Sequence, residues 1–191
     1  MNLIDRVKNI LLTPKTEWLV IKTENATVGS LLTSYVIPLS LIPAVIAFLT
    51  GLFWTTITYG LVSAIIAVVS AIIAYYVGTY VTDALAPSFS SEKNLNRSAQ
   101  LTAYSYTAVA VASILGIIPI LGILVVLAGY VYSVYLMYLG TAPIKNTPED
   151  KRVVYVIVII VIQIVLYFIL NAIFAAIVFR SLLGYGYGYR Y

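Results

Sequence analysis

DALAPSFSSEKNLNRSAQ, residues Asp83–Gln100, interrupts a chain that is otherwise mostly oil. It carries Asp83, Glu92, Lys93 and Arg97 among Ser88, Ser90, Ser91 and Ser98, and an uncharged apolar run lies on each side. The whole chain has 191 residues, 62% of them hydrophobic and 9% charged. A soluble domain carries about 25% charged residues, so water could not cover this surface and lipid is the solvent the composition asks for. The polar island then reads as the connector between two membrane spans, not as a catalytic loop.

Working outward, five apolar segments meet the roughly 20 residues that a helix needs to cross hydrocarbon. They cover about 31–50, 53–80, 99–117, 120–139 and 153–179. The fold class is all-α: a polytopic bundle of five transmembrane helices in one domain over 1–191, preceded by short amphipathic helices. A β-barrel would need alternating segments of about ten residues, and none is seen. Pro38 and Pro43 each remove a backbone donor from the first span and predict a kink there. A short turn around Gly51 joins spans one and two, and GIIPILG, Gly116–Gly122, joins spans three and four. In the island, Pro87 and the serines end one helix, and Asn94 or Asn96 caps the next.

Charge gives the frame a direction. With five spans, Arg6, Lys8, Lys15, Lys22, Lys93, Arg97, Lys145, Lys151 and Arg152 all fall on one face, leaving only Arg180 and Arg190 on the other. The positive-inside rule then predicts a multi-pass protein of the cell membrane with its N-terminus cytoplasmic and its C-terminus outside. Tyr76, Tyr80, Tyr104, Tyr106, Tyr135, Tyr138 and Tyr155 gather near the predicted inner span ends and read as an interfacial belt, with Trp54 and Tyr59 at the outer face. The basic residues flank apolar segments and form no stripe, so nucleic acid is not an expected partner.

Residues 1–28 form an expected cytoplasmic amphipathic segment. Leu3, Ile4, Val7, Ile10 and Leu11 recur at helical spacing, with Asp5, Arg6, Lys8 and Asn9 on the remaining face. Thr13 and Pro14 restart the helix as N-cap and first helical residue, and Glu17 falls one residue beyond the capping-box position. Trp18 and Leu19 offer a second apolar patch. These short helices are expected on the inner leaflet or under the bundle. At the other end, the tail 184–191 alternates glycine and tyrosine and is expected to be flexible or interfacial.

Two patterns bear on packing. Ala64, Ala67, Ala71, Ala74 and Gly78 put small residues on one face of the second span, where a neighbour can approach closely. Gln163, Tyr167 and Asn171 stand four apart in the fifth span and predict an inward polar line, because an unpaired amide facing lipid is costly.

Cysteine and histidine are both absent, which removes thiol nucleophiles, Ser-His triads and the usual zinc sites. No cofactor or metal and no enzymatic activity is expected. No acid or base falls clearly at mid-bilayer, which counts against a proton-coupled pump.

EKNLNRSAQLTAYSYT (Glu92–Thr107), followed by ILGIIPILGILVVLAGYVYSVYLMYLGTAPIKNTPEDK (Ile114–Lys151), resembles the core of the Yip family of multispan membrane proteins. LLTPKTEWLVI, Leu11–Ile21, resembles the Pro-then-Trp opening of prokaryotic members. Ala108 stands where the family often has proline, and Ser90 and Ser91 stand where many members have paired glycines. The resemblance implies five spans and a cytoplasmic N-terminal region. Eukaryotic relatives act in vesicle trafficking with Rab-type GTPases, and that binding is not carried over to this chain. The expectation is a non-enzymatic protein that organises the bilayer or recruits partners through its cytoplasmic face. Arg6, Lys8, Trp18, Asp83, Lys93 and Arg97 are its candidate contacts to anionic lipid headgroups or a membrane-protein partner. Asp83 is expected to pair with Lys93 or Arg97. The alternative is a small-solute or ion channel along Gln163, Tyr167 and Asn171. The sequence leaves the oligomeric state open.

Overall fold

The computed structural model describes residues 2–118 and 120–184, with side chains described to residue 176. Pro119, Arg190 and the tail beyond Gly184 lie outside the described residues, as does the Arg180 side chain. Two short helices come first, α1 (Leu3–Leu12) and α2 (Pro14–Thr23). Next come five helices long and apolar enough to cross a membrane: Val28–Trp54, Ile57–Phe89, Leu95–Ile117, Leu121–Lys145 and Glu149–Ala176. No strand occurs among the described residues.

The spans match the expected number and run further at their charged ends. The second reaches Phe89, not Tyr80, and the third begins at Leu95, not Ala99. Hydropathy marks where hydrocarbon ends, whereas a helix continues until its backbone bonds are capped. Asn94 supplies one such cap, its Oδ1 accepting from the Arg97 N–H at 3.2 Å. Asn96 serves a different helix. Its Oδ1 accepts from the Val28 N–H at 3.2 Å, satisfying an orphan donor at the start of the first span.

The prolines of the first span act as expected on the backbone ladder. A π-helical turn, Leu32–Val36, precedes Pro38, which sits in the first turn of the α-helical stretch Ile37–Trp54, with Pro43 inside it. The wider turn takes up the break that proline introduces. The third span is also broken, into Leu95–Ser105, Thr107–Ala112 and a 3-10 turn at Ser113–Ile117. Thr107 Oγ1 donates to the Tyr104 carbonyl at 2.7 Å and Ser113 Oγ to that of Ala110 at 2.6 Å. Such side-chain bonds compete with the helix ladder and bend it. This span is the axis of the bundle: 56% of its most apolar window is buried, against 6% for the second span.

The turn between spans one and two lies at Thr55 and Thr56, not around Gly51, and Thr56 caps the second span. Gly51 is inside its helix because the crossing needs it there. A Cβ on Gly51 would overlap the backbone of Gly60, and one on Gly60 would stand 2.6 Å from the Phe48 carbonyl oxygen. Of the expected small-residue face, Gly78 makes a close approach: a Cβ there would stand 2.2 Å from Gln163 Nε2 and 2.9 Å from Thr102 Cγ2.

The α1–α2 hairpin does not lie flat under the bundle. It packs against the flank of the third and fourth spans. The Tyr132 hydroxyl donates to the Leu11 carbonyl at 2.7 Å, a point about 20 Å from Lys145 along the fourth span. Trp18 packs edge-on to Tyr104 and against Gly140. Thr13 occupies the predicted cap position, yet its hydroxyl donates back to the Asn9 carbonyl at 3.1 Å. The apolar face of α1 is also rotated from expectation: Ile4 is 78% exposed, while Arg6 turns inward beside Ile10.

The packed core lies at the charged end. It gathers Ile10, Trp18, Leu31, Tyr35, Tyr104, Leu136, Ile144 and Tyr155. Tyr104 and Tyr155 therefore belong to the core and not to the expected belt, whereas Tyr80 and Tyr135 are exposed, as are Trp54 and Tyr59. Lipid is as apolar as leucine, so close contact and polar bonds must hold spans together, and these concentrate at one end. Gly51→Ala should lower the stability of the protein in nanodiscs by about 1–3 kcal/mol, read as a lower thermal midpoint. Ala47→Gly, one turn earlier in the same helix, controls for composition.

Candidate functional site

Three segments distant in sequence meet at the charged end. The Glu92 N–H donates to the Lys145 carbonyl at 2.7 Å, and Asn146 Nδ2 to Glu92 Oε2 at 2.8 Å. Lys151 Nζ donates to Ser90 Oγ at 2.7 Å, and Ser91 Oγ to Thr147 Oγ1 at 2.9 Å. Arg97 reaches the Glu24 carbonyl at 3.4 Å. The connectors after spans two and four and the link from α2 into span one thus share one surface. Ser90 and Asn146 end their helices in the left-handed region, at φ 53° and 49°. Asparagine tolerates that region well, and serine holds the position where the paired glycines of the resemblance would stand.

Two buried ionic clusters support this surface. In the first, Lys145 is 0% exposed. Its Nζ lies 3.5 Å from Asp83 Oδ1, donates to Ser98 Oγ at 2.7 Å and reaches the Asn94 carbonyl at 3.4 Å. Ser98 Oγ lies 3.1 Å from Asp83 Oδ1. One ammonium therefore ties spans two, three and four. The Tyr155 hydroxyl donates to the carbonyl of Thr82, beside Asp83, and its ring stacks on Phe89 at 4.9 Å, which brings in the fifth span.

In the second cluster, Arg6 is 5% exposed and donates to the carboxylates of Glu17 and Glu24. Its guanidinium sits 5.2 Å from the centroid of the Tyr104 ring. Tyr104 in turn packs on Tyr35 at 4.7 Å, and the Tyr35 hydroxyl shares a 2.6 Å hydrogen bond with Thr107 Oγ1. Gln100 Nε2 donates to the carbonyls of Ile21 and Glu24, while its Oε1 accepts from Arg97 at 3.0 Å. The hairpin is thereby bonded to the third span through charge, ring and amide.

The candidate contacts separate accordingly. Lys8 and Lys93 are exposed, and Arg97 is half-buried against Glu24 and Gln100. Arg6 and Trp18, expected at the surface, are buried, because a cation and a large ring at the start of this chain have carboxylates and a glycine face to fill. Asp83 pairs with Lys145 and not with Lys93 or Arg97. The inward polar line does not form as expected. Gln163 is half-buried at Gly78, but Tyr167 is 54% exposed and Asn171 is exposed, donating to the Tyr167 carbonyl at 2.8 Å. An amide that bonds its own helix has no need to point inward.

The part that Glu17, Glu24, Ser98, Gln100 and Lys145 play in these clusters escaped the sequence reading. A signal existed for one cluster, since Arg6 precedes Ile10 by four residues and so shares its helical face. Two surface hollows flank the clusters. One, of about 160 Å³, is lined by Glu24, Asn25, Asn94, Asn96, Arg97 and Gln100 among others. The other, of about 370 Å³, lies between α2 and the end of the fourth span.

The model of the Yip1 domain matches residues 8–181. This chain belongs to the Yip family. The match begins inside α1, so the hairpin is part of the Yip1 domain and no appendage to it. Among curated proteins and among solved structures, no relative matches.

Breaking the Lys145 cluster from one side should be worse than removing it whole. Asp83→Asn or Lys145→Met alone leaves a buried charge unpaired and should cost about 3–5 kcal/mol of stability. Asp83→Leu with Lys145→Met should recover most of that loss in chemical unfolding of the nanodisc-embedded protein.

Proposed function

We propose that this Yip-family protein is a non-enzymatic, multi-pass protein of the cell membrane that organises the bilayer or recruits a membrane partner through its charged end. That end and the N-terminus face the cytoplasm, and the C-terminus lies outside. One observation supports this reading above the others. Exposed Lys93 and half-exposed Arg97 stand on a surface held in place by two buried ionic clusters, and exposed Lys8 lies on the hairpin that one of those clusters anchors. A surface built this way keeps its cations at set positions, which suits recognition of a headgroup or an acidic partner. The orientation is supported by the same segregation of Lys and Arg. The channel reading has less support, because Tyr167 and Asn171 lie on an exposed face and line no internal path.

The chain has no cysteine, so single-cysteine chemistry is clean. Lys93→Cys should react with an impermeant maleimide in inverted vesicles and be protected in right-side-out ones. The reverse pattern would reverse the orientation. A photocrosslinker at position 93 should capture a lipid headgroup or a membrane protein in cells, and capture of neither would count decisively against the proposal.

A further inference from the structure

We infer that the groove between α2 and the last turns of the fourth span binds an anionic phospholipid of the surrounding leaflet, with Lys15 and Lys22 as its headgroup ligands. This rests on the reading of the charged end as a membrane-facing surface and gives it a ligand class and a place.

Six residues line the groove: Lys15, Leu19, Lys22, Leu139, Ala142 and Pro143. Its volume is about 370 Å³, and no acid lines it. Lys15, Leu19 and Lys22 are spaced four and three apart, so they share one face of α2, turned away from buried Glu17 and Ile21, with buried Trp18 at its edge. The two lysines stand about 10 Å apart along the helix, with Leu19, 59% exposed, between them. Ala142 and Pro143 lie just ahead of Lys145, the last residue of the span, which sets the groove at the level where acyl chains give way to headgroups.

Charge complementarity selects the occupant. Five other cations at this end are engaged: Arg6 with Glu17 and Glu24, Lys145 with Asp83, Lys151 with Ser90, Arg152 with the Thr147 carbonyl, and Arg97 with the Glu24 carbonyl and Gln100. Lys15 and Lys22 are exposed and bond to no described residue. Lys8 and Lys93 are also free, but neither lines either of the two hollows described above. Two unmatched cations beside Leu19, Leu139, Ala142 and Pro143 call for a ligand with a phosphate at one end and hydrocarbon at the other. Flexible lysine stems can bring both ammonium groups to one phosphate.

Trp18 lies on α2 beside this groove, and Trp54→Phe leaves it as the sole tryptophan of the full chain. In bilayers of phosphatidylcholine, dibrominated phosphatidylglycerol should quench Trp18 at a lower mole fraction than dibrominated phosphatidylcholine does. Lys15→Gln with Lys22→Gln should remove that preference, by roughly fivefold for each lysine. Lys15→Arg with Lys22→Arg should keep it, and Lys93→Gln with Arg97→Gln should leave it unchanged. Equal quenching by the two lipids, or equal loss in the Lys93/Arg97 variant, would overturn the site. Reversal by millimolar inorganic phosphate would overturn it as well, because a lipid site needs the chains. Partner capture at position 93 does not depend on Lys15 or Lys22, so failure of the groove and failure of the broader proposal are separable.

Discussion

A buried ammonium without a carboxylate would not survive in a bundle this apolar, and Lys145 imposes that constraint on three helices at once. Its charge must be met where it stands. Asp83 arrives from the second span and Ser98 from the third, so the three helices are fixed in depth as well as in contact. The connectors then have no freedom to splay, and Glu92 closes onto the Lys145 backbone. Helices in lipid gain little from shedding apolar surface. Two ionic knots therefore set the geometry that a hydrophobic core would set in water.

The same logic explains the hairpin. Arg6, Glu17 and Glu24 come from a stretch that looks amphipathic in sequence, yet their mutual pairing and the Tyr104 face let α1 and α2 dock sideways on the third span. Tyr132 then satisfies the Leu11 carbonyl, a helix end that would be expensive to leave bare beside hydrocarbon. What remains outward on α2 is basic and apolar together, and that mixture is where the lipid site is placed.

Much of this architecture was legible. Five long apolar runs needed no tertiary information, because hydropathy is a property of each segment alone. Asn94 was readable as a cap candidate and Pro14 as a helix start for the same local reason. The partner of Asp83 was not, since Lys93 and Arg97 stood near it in sequence and only the fold brings Lys145 to it. Tyr104 and Tyr155 looked interfacial because aromatic rings near span ends usually are, and burial against Arg6 and Phe89 decided otherwise. Asn171 misled in the opposite sense: its amide does need a partner, but its own helix supplied the acceptor.

The sideways docking of α1 and α2 has a consequence for the sheet around it. Each helix is about 10 Å across, and both add their cross-section to the flank of the third and fourth spans at the charged end. Among the described residues, the other end of the bundle carries the five spans without such an addition. The described part of the molecule is thus broader at its charged end, and lipids around a broader end have less room than those around a narrower one. An elastic film relieves such an imbalance by curving with the broader side convex, so crowding many of these proteins together would favour a curved patch over a flat one.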